Sequence, residues 1–142
     1  MIYRFRKDYF FLSNFYPLPE PIEYDGYHFN TSETAYMSAK RHDGEWKLFC
    51  STAEPAIAKK KSHSVEIRPD WEAVKIQVMF DVVRLKFAIP QLRDMLLATE
   101  THEIVEGNNH NDCFWGVDLE SGKGRNFLGK ILMKVREEIR NG

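Results

Sequence analysis

The sequence predicts a mainly α-helical fold, a single compact domain over residues 1–142 with a small β element near the N-terminus. Three observations predict it. Trp71, Val74, Val78, Val82 and Leu85 recur at steps of three and four, with Met79 and Val83 widening the stripe, as in a helix buried along one side. Leu128, Ile131, Leu132, Val135 and Ile139 repeat that spacing near the C-terminus. Near the N-terminus, Ile22-Glu23-Tyr24 and Tyr27-His28-Phe29 flank Asp25-Gly26, a pair that tolerates the positive φ of a tight hairpin turn.

The remaining elements follow in chain order. Residues 2–16 crowd aromatics together before Pro17, Pro19 and Pro21, which predicts a strand and then a proline-stiffened loop. After the hairpin, Asn30 is placed to cap a helix whose first turn holds Thr31, Ser32 and Glu33, with Lys40 near its end at His42-Asp43-Gly44. Two short helices are expected at 45–49 and 54–61. Proline in Arg68-Pro69-Asp70-Trp71 opens the long helix, which should stop before Pro90 and be followed by a shorter one over 91–98. A short strand at 103–106, a loop from Val117 to Arg125 and a helix from about Asn126 complete the reading.

Composition bounds the function. With 142 residues, 43% of them apolar, the chain can bury a substantial core. No apolar run is long enough to span a membrane, and the first residues lack the pattern of a signal peptide. Cys50 and Cys113 are too few for a disulfide framework, which points to a reducing cytoplasm. A net charge of −1 gives no global electrostatic footprint for nucleic acid, and the Lys59-Lys60-Lys61 run reads as solvated surface.

Few residues point to chemistry by themselves. Glu33, three residues after Asn30, has an ordinary role as the acid of a capping box and a sharper one as a carboxylate facing a cleft, with Lys40 two turns on. Asp112, between a polar turn and Phe114-Trp115, has an ordinary role bonding nearby backbone amides. The glycine loop 116–124 fails the Walker pattern. Five residues separate Gly116 from Gly122, and Gly124 stands where a metal-binding hydroxyl is required. Gly122, Lys123 and Gly124, ahead of a helix starting at Asn126, retain the makings of a metal-free phosphate loop, against the alternative of a surface turn. His110 and Cys113 lack the second ligand pair of a zinc site, so no metal is expected, and both cysteines fit as small packed residues.

Ordered blocks along nearly the whole chain resemble the NADAR (YbiA-like) family. They are Leu12-Ser13-Asn14-Phe15; Thr31-Ser32-Glu33 with Tyr36 and Lys40; Trp71-Glu72 with Val74-Lys75 and Val78-Met79; Lys86-Phe87; and Leu96-Leu97-Ala98-Thr99. Val105-Glu106, Asn111-Asp112 with Trp115-Gly116, and Gly122-Lys123-Gly124 with Asn126, Leu128-Gly129, Leu132-Met133 and Arg136 continue the series. The resemblance implies an N-glycosidase needing neither metal nor organic cofactor. Its substrate would be a small phosphorylated ribosyl compound, such as a ribosylaminopyrimidine phosphate of riboflavin synthesis. ADP-ribosylated guanine in nucleic acid is the alternative, and a non-catalytic ADP-ribose-binding module is a third reading.

By the same resemblance Glu33 and Asp112 are the catalytic acids. Trp71, with Asn14, Lys40, Lys123 and Asn126, would contact substrate. In the mechanism this suggests, Phe15 walls the base pocket beside Trp71, the Gly122 and Gly124 amides take the phosphate with Lys123, and Trp115 is expected among the substrate contacts. Thr34-Ala35, Lys59-Lys60-Lys61 and the 117–121 loop depart from the bacterial riboflavin-type pattern, which leaves the identity of the substrate open.

Overall fold

A computed structural model describes residues 1–142, which divide into two compact units: Met1–Ser13 with Phe87–Gly142, and Asn14–Lys86. The mainly helical architecture agrees with the sequence reading.

The 14–86 unit begins with the expected hairpin. Strands β1 (Ile22–Tyr24) and β2 (Tyr27–Phe29) pair antiparallel, Ile22 opposite Phe29 and Tyr24 opposite Tyr27. Asp25 and Gly26 both take positive φ, 53° and 85°, as a turn of this hand requires. Helix α1 (Ser32–Ser38) follows, capped by Thr31 and not by Asn30: the Thr31 hydroxyl accepts from the Thr34 amide at 3.1 Å. All seven of its residues are buried, polar ones included. It is also shorter than expected, and Lys40 lies just beyond it.

The C-terminal carbonyls of α1 are satisfied from neighbouring elements. Trp46 Nε1 reaches Met37 O at 2.9 Å and Lys47 Nζ reaches Ser38 O at 3.2 Å, both from α2 (Gly44–Thr52). α3 (Pro55–Ser62) packs against α1 and begins with the proline that suits a first turn. α4 (Trp71–Phe87) buries Trp71, Val78, Met79, Val82 and Val83 of the predicted stripe, with Val74 and Leu85 half-buried. Lys86, three and four residues after Val83 and Val82, falls on that same buried side and is 1% exposed. Its ammonium sits 5.8 Å from the Tyr16 ring centroid.

In the other unit, the expected N-terminal strand is replaced by a single parallel bridge, Ile2 to Ile104, and a 3₁₀ helix over Lys7–Leu12. The tighter helix buries Phe11 and Leu12 together, and Phe11 meets Phe87 edge-on at 6.4 Å. α5 (Pro90–Leu97) packs on α6 (Phe127–Asn141) through Leu92 and Leu96, with Leu128, Ile131, Leu132 and Val135 on the α6 face. The strand expected at 103–106 reduces to the Ile104 bridge. Pairing instead joins β3 (Gly107–Asn108) in parallel to β4 (Val117–Asp118), in segments the sequence reads as a polar turn and a loop.

Candidate active site

A short, wholly buried helix carrying Ser, Glu and Thr in its first turn contradicts the usual sorting of polar residues to the surface. Each buried polar group must find a partner, and the partners show what α1 is built for. Glu33 is 7% exposed. With Thr31 as the cap, the position three residues on belongs to Thr34, so Glu33 does not occupy the acid position of a capping box. A carboxylate in the first turn is favoured by the helix dipole.

The backbone around Glu33 is pinned by Asn14. The Glu33 amide donates to Asn14 O at 3.0 Å, and the Ser32 hydroxyl donates to Asn14 Oδ1 at 2.8 Å. Asn14 Nδ2 points to Met79 Sδ at 3.3 Å, so both ends of this 7%-exposed side chain are engaged within the protein. Asn14 therefore positions Glu33, whatever else it touches.

Lys40 stands over the Trp71 ring at 5.9 Å from its centroid and donates to Ser62 Oγ at 3.3 Å. Partial burial lowers its pKa, the Glu33 carboxylate raises it, and the charges of Lys59 and Lys75 lower it again. Trp71 is 8% exposed and packs against Tyr36, ring centroids 5.1 Å apart. Lys59 Nζ lies 5.8 Å from the Phe15 ring centroid. Asn14, Phe15, Glu33, Lys40 and Trp71 thus belong to one neighbourhood, joined by Tyr36, Lys59, Ser62 and Lys75. The sequence reading assigned no site role to those four. Lys59 belongs to a run read as solvated surface and is exposed, and tertiary structure brings its ammonium to the Phe15 ring.

Asp112, Trp115, Gly122, Lys123, Gly124 and Asn126 lie in the other unit. Asp112 Oδ1 accepts from the amides of Phe114 at 3.2 Å and Trp115 at 2.9 Å, the turn role that short acids favour. Asn108, 4% exposed, organises this segment. Its Oδ1 accepts from the His110 and Asp112 amides, and its Nδ2 donates to Asp112 O at 2.9 Å and Glu106 Oε2 at 3.0 Å. Trp115 O receives the Leu128 amide at 3.0 Å, tying the segment to the start of α6.

Asn126 holds left-handed backbone geometry, φ 52°. Its side chain accepts from the Glu106 amide and donates to Ile104 O, each at 2.9 Å. In the glycine loop the Gly122 amide donates to Asp118 O and the Lys123 amide to Ser121 Oγ. A Cβ on Gly124 would come within 2.2 Å of Gly116 O, so close backbone approach accounts for that glycine. Cys50 is not set up as a nucleophile: it is buried, and its thiol pKa is pushed up to about 12 by that burial.

The NADAR domain family matches residues 2–140. The chain belongs to that family. It is 37% identical over 141 residues to N-glycosidase YbiA of Escherichia coli K12, an alignment spanning 96% of this chain and 86% of that protein. A riboflavin biosynthesis protein of Vibrio vulnificus is 39% identical over 133 residues, 91% of this chain but 35% of that longer protein. The NMR structure of E. coli YbiA superposes with a TM-score of 0.84 at 35% identity, covering 99% of this chain and 83% of that one. No helix in the NADAR chain is long and apolar enough to cross a membrane.

Proposed function

We propose that this protein is an N-glycosidase that hydrolyses the C–N bond between a phosphorylated ribose and a nitrogenous base or amine. The observation that carries the reading is the buried Glu33, its backbone fixed through Asn14 and its carboxylate within electrostatic reach of Lys40, which lies over the Trp71 ring. Membership of a family that includes N-glycosidases supports it.

The chemistry follows from the charges. As the C–N bond stretches, positive charge grows on the ribose C1 and ring oxygen, and a carboxylate in a partly desolvated setting stabilises it. Water adds its oxygen to C1 as the C–N bond breaks, one of its protons passes to Glu33, and the departing nitrogen takes up a proton from solvent, to which Glu33 then returns its own. Lys40 favours the ionised form of Glu33, and the Trp71 face suits a flat base. The part proposed for Asp112, holding the ribose or the leaving group, rests on its motif match.

The test compares wild type and Glu33→Gln by mass spectrometry on two substrates: a ribosylaminopyrimidine phosphate and DNA carrying ADP-ribosylated guanine. Ribose 5-phosphate released from the first by wild type only supports the proposal. ADP-ribose released from the second would make modified nucleic acid the substrate of the same acid. Binding without product from either would reduce the protein to a nucleotide-binding module. Full activity in Glu33→Gln would remove Glu33 from the mechanism.

A further inference from the structure

We propose that Lys40, Lys59 and Lys75 form a subsite for a phosphate monoester dianion, walled by Phe15 and Trp71. The inference rests on the ribosyl-phosphate reading above and names where that substrate's phosphate is held.

Three elements deliver the three cations. Lys59 and Ser62 lie one turn apart on α3, where residues at this spacing share a face. The Ser62 hydroxyl donates to Lys59 O at 2.6 Å while accepting from Lys40 Nζ at 3.3 Å, so Lys40 is tethered beside the Lys59 turn. Lys40 also overlies Trp71, and Lys75 stands one turn along α4 from Trp71 on the same face. Lys59 completes the group over the Phe15 ring.

These charges oppose one another. Lys59 and Lys75 both disfavour the ammonium of Lys40, which burial already penalises. Glu33 offsets part of this, and Lys75, 17% exposed, pairs with Glu72, whose side chain is 81% exposed. A bound dianion would turn the mutual repulsion into attraction, and three ammonium groups offer donors to a phosphate's oxygens. Elsewhere in the unit, Arg41 and Arg68 already hold Asp43 at 3.2 Å and Asp70 at 2.6 Å. The glycine loop, the other candidate for a phosphate, bonds its Gly122 and Lys123 amides internally.

The test is calorimetric titration with ribose 5-phosphate, unphosphorylated ribose and inorganic phosphate. Wild type, Lys59→Gln, Lys75→Gln, Lys59→Arg and Lys123→Gln are compared, each with an unchanged circular dichroism spectrum. Each loss of charge should weaken ribose 5-phosphate and phosphate about tenfold, the scale of one charge-assisted hydrogen bond. Ribose binding should stay as it is, and Lys59→Arg should retain the phosphate preference. Phosphate binding untouched by both Lys→Gln changes but lost in Lys123→Gln would overturn the proposal in favour of the loop. No phosphate preference in wild type would also overturn it. Since no turnover is read, a failed glycosidase assay with intact phosphate binding would refute the reaction and leave the subsite standing.

Discussion

The Ser32 hydroxyl and the Asn14 side chain are joined at 2.8 Å, and the next amide along, that of Glu33, closes on Asn14 O at 3.0 Å. This double attachment sets where the carboxylate-bearing turn lies. Ser32→Ala removes the donor and leaves a buried amide oxygen short of a partner, which should cost about 1–3 kcal/mol. Urea unfolding gives the stability loss. If Glu33 acts as proposed, kcat should fall more than KM rises, because a shifted carboxylate harms the transition state more than binding.

Glu33→Gln should lower the rate by about 10²–10⁴. It should also act on Lys40. The carboxylate holds the Lys40 pKa up against burial and its lysine neighbours, so neutralising it should drop that pKa further. NMR titration of isotope-labelled lysine methyl adducts reads this directly. An unchanged Lys40 titration would break the link between the two residues.

Lys86 gives the stability curve a predictable slope. Complete burial lowers its pKa from 10.5 to about 7. A group whose folded pKa is depressed below its unfolded value binds more protons when unfolded, so stability rises with pH between those values. The penalty is fully present below about pH 7 and is relieved towards pH 10.5. From about pH 7 to pH 9 the gain from this residue should be on the order of 2–3 kcal/mol. Lys86→Met should flatten that part of the wild-type curve in denaturant titrations across the range, whatever its stability at one pH. Equal slopes in the two proteins would refute the assignment.

Gly116 is required by close approach. A Cβ there would stand 1.8 Å from Glu106 Oε2 and 2.1 Å from Glu106 O. Gly116→Ala must push the Glu106 backbone away and should destabilise the fold by about 1–3 kcal/mol, read as a lower urea midpoint. A wild-type midpoint would mean that the segment yields freely.

The legible parts of the fold were those with local causes. Asp25-Gly26 specified its turn through backbone sterics, and the α4 and α6 stripes followed from one-sided burial. The 3₁₀ helix at Lys7–Leu12 was missed because its aromatic crowding suits a strand equally, and only the company of Phe87 selects the tighter turn. The Asn30-to-Thr31 shift of the cap falls between two adjacent residues of similar capping strength, a choice local chemistry does not decide. The β3–β4 pair is two residues long on each side and leaves no periodicity to detect. Within the candidate site, Glu33 stood out by its motif. The burial of all of α1 did not stand out, because a helix enclosed on every side has no polar face to announce its orientation. Lys59 and Lys75 were hidden for a related reason, since a lysine's destination depends on elements distant in the chain.

The two units also differ in the order in which a ribosome can complete them. Residues 14–86 are continuous and can close as soon as α4 has emerged. The first thirteen residues belong instead with the last part of the chain, and Ile2 finds Ile104 only after about 100 further residues have been made. At ordinary elongation speeds that interval is roughly 5–20 s. For most of it Phe11, destined for burial, waits for Phe87, the ring it packs against. The nascent N-terminal segment is therefore where a chaperone would find apolar sequence longest exposed.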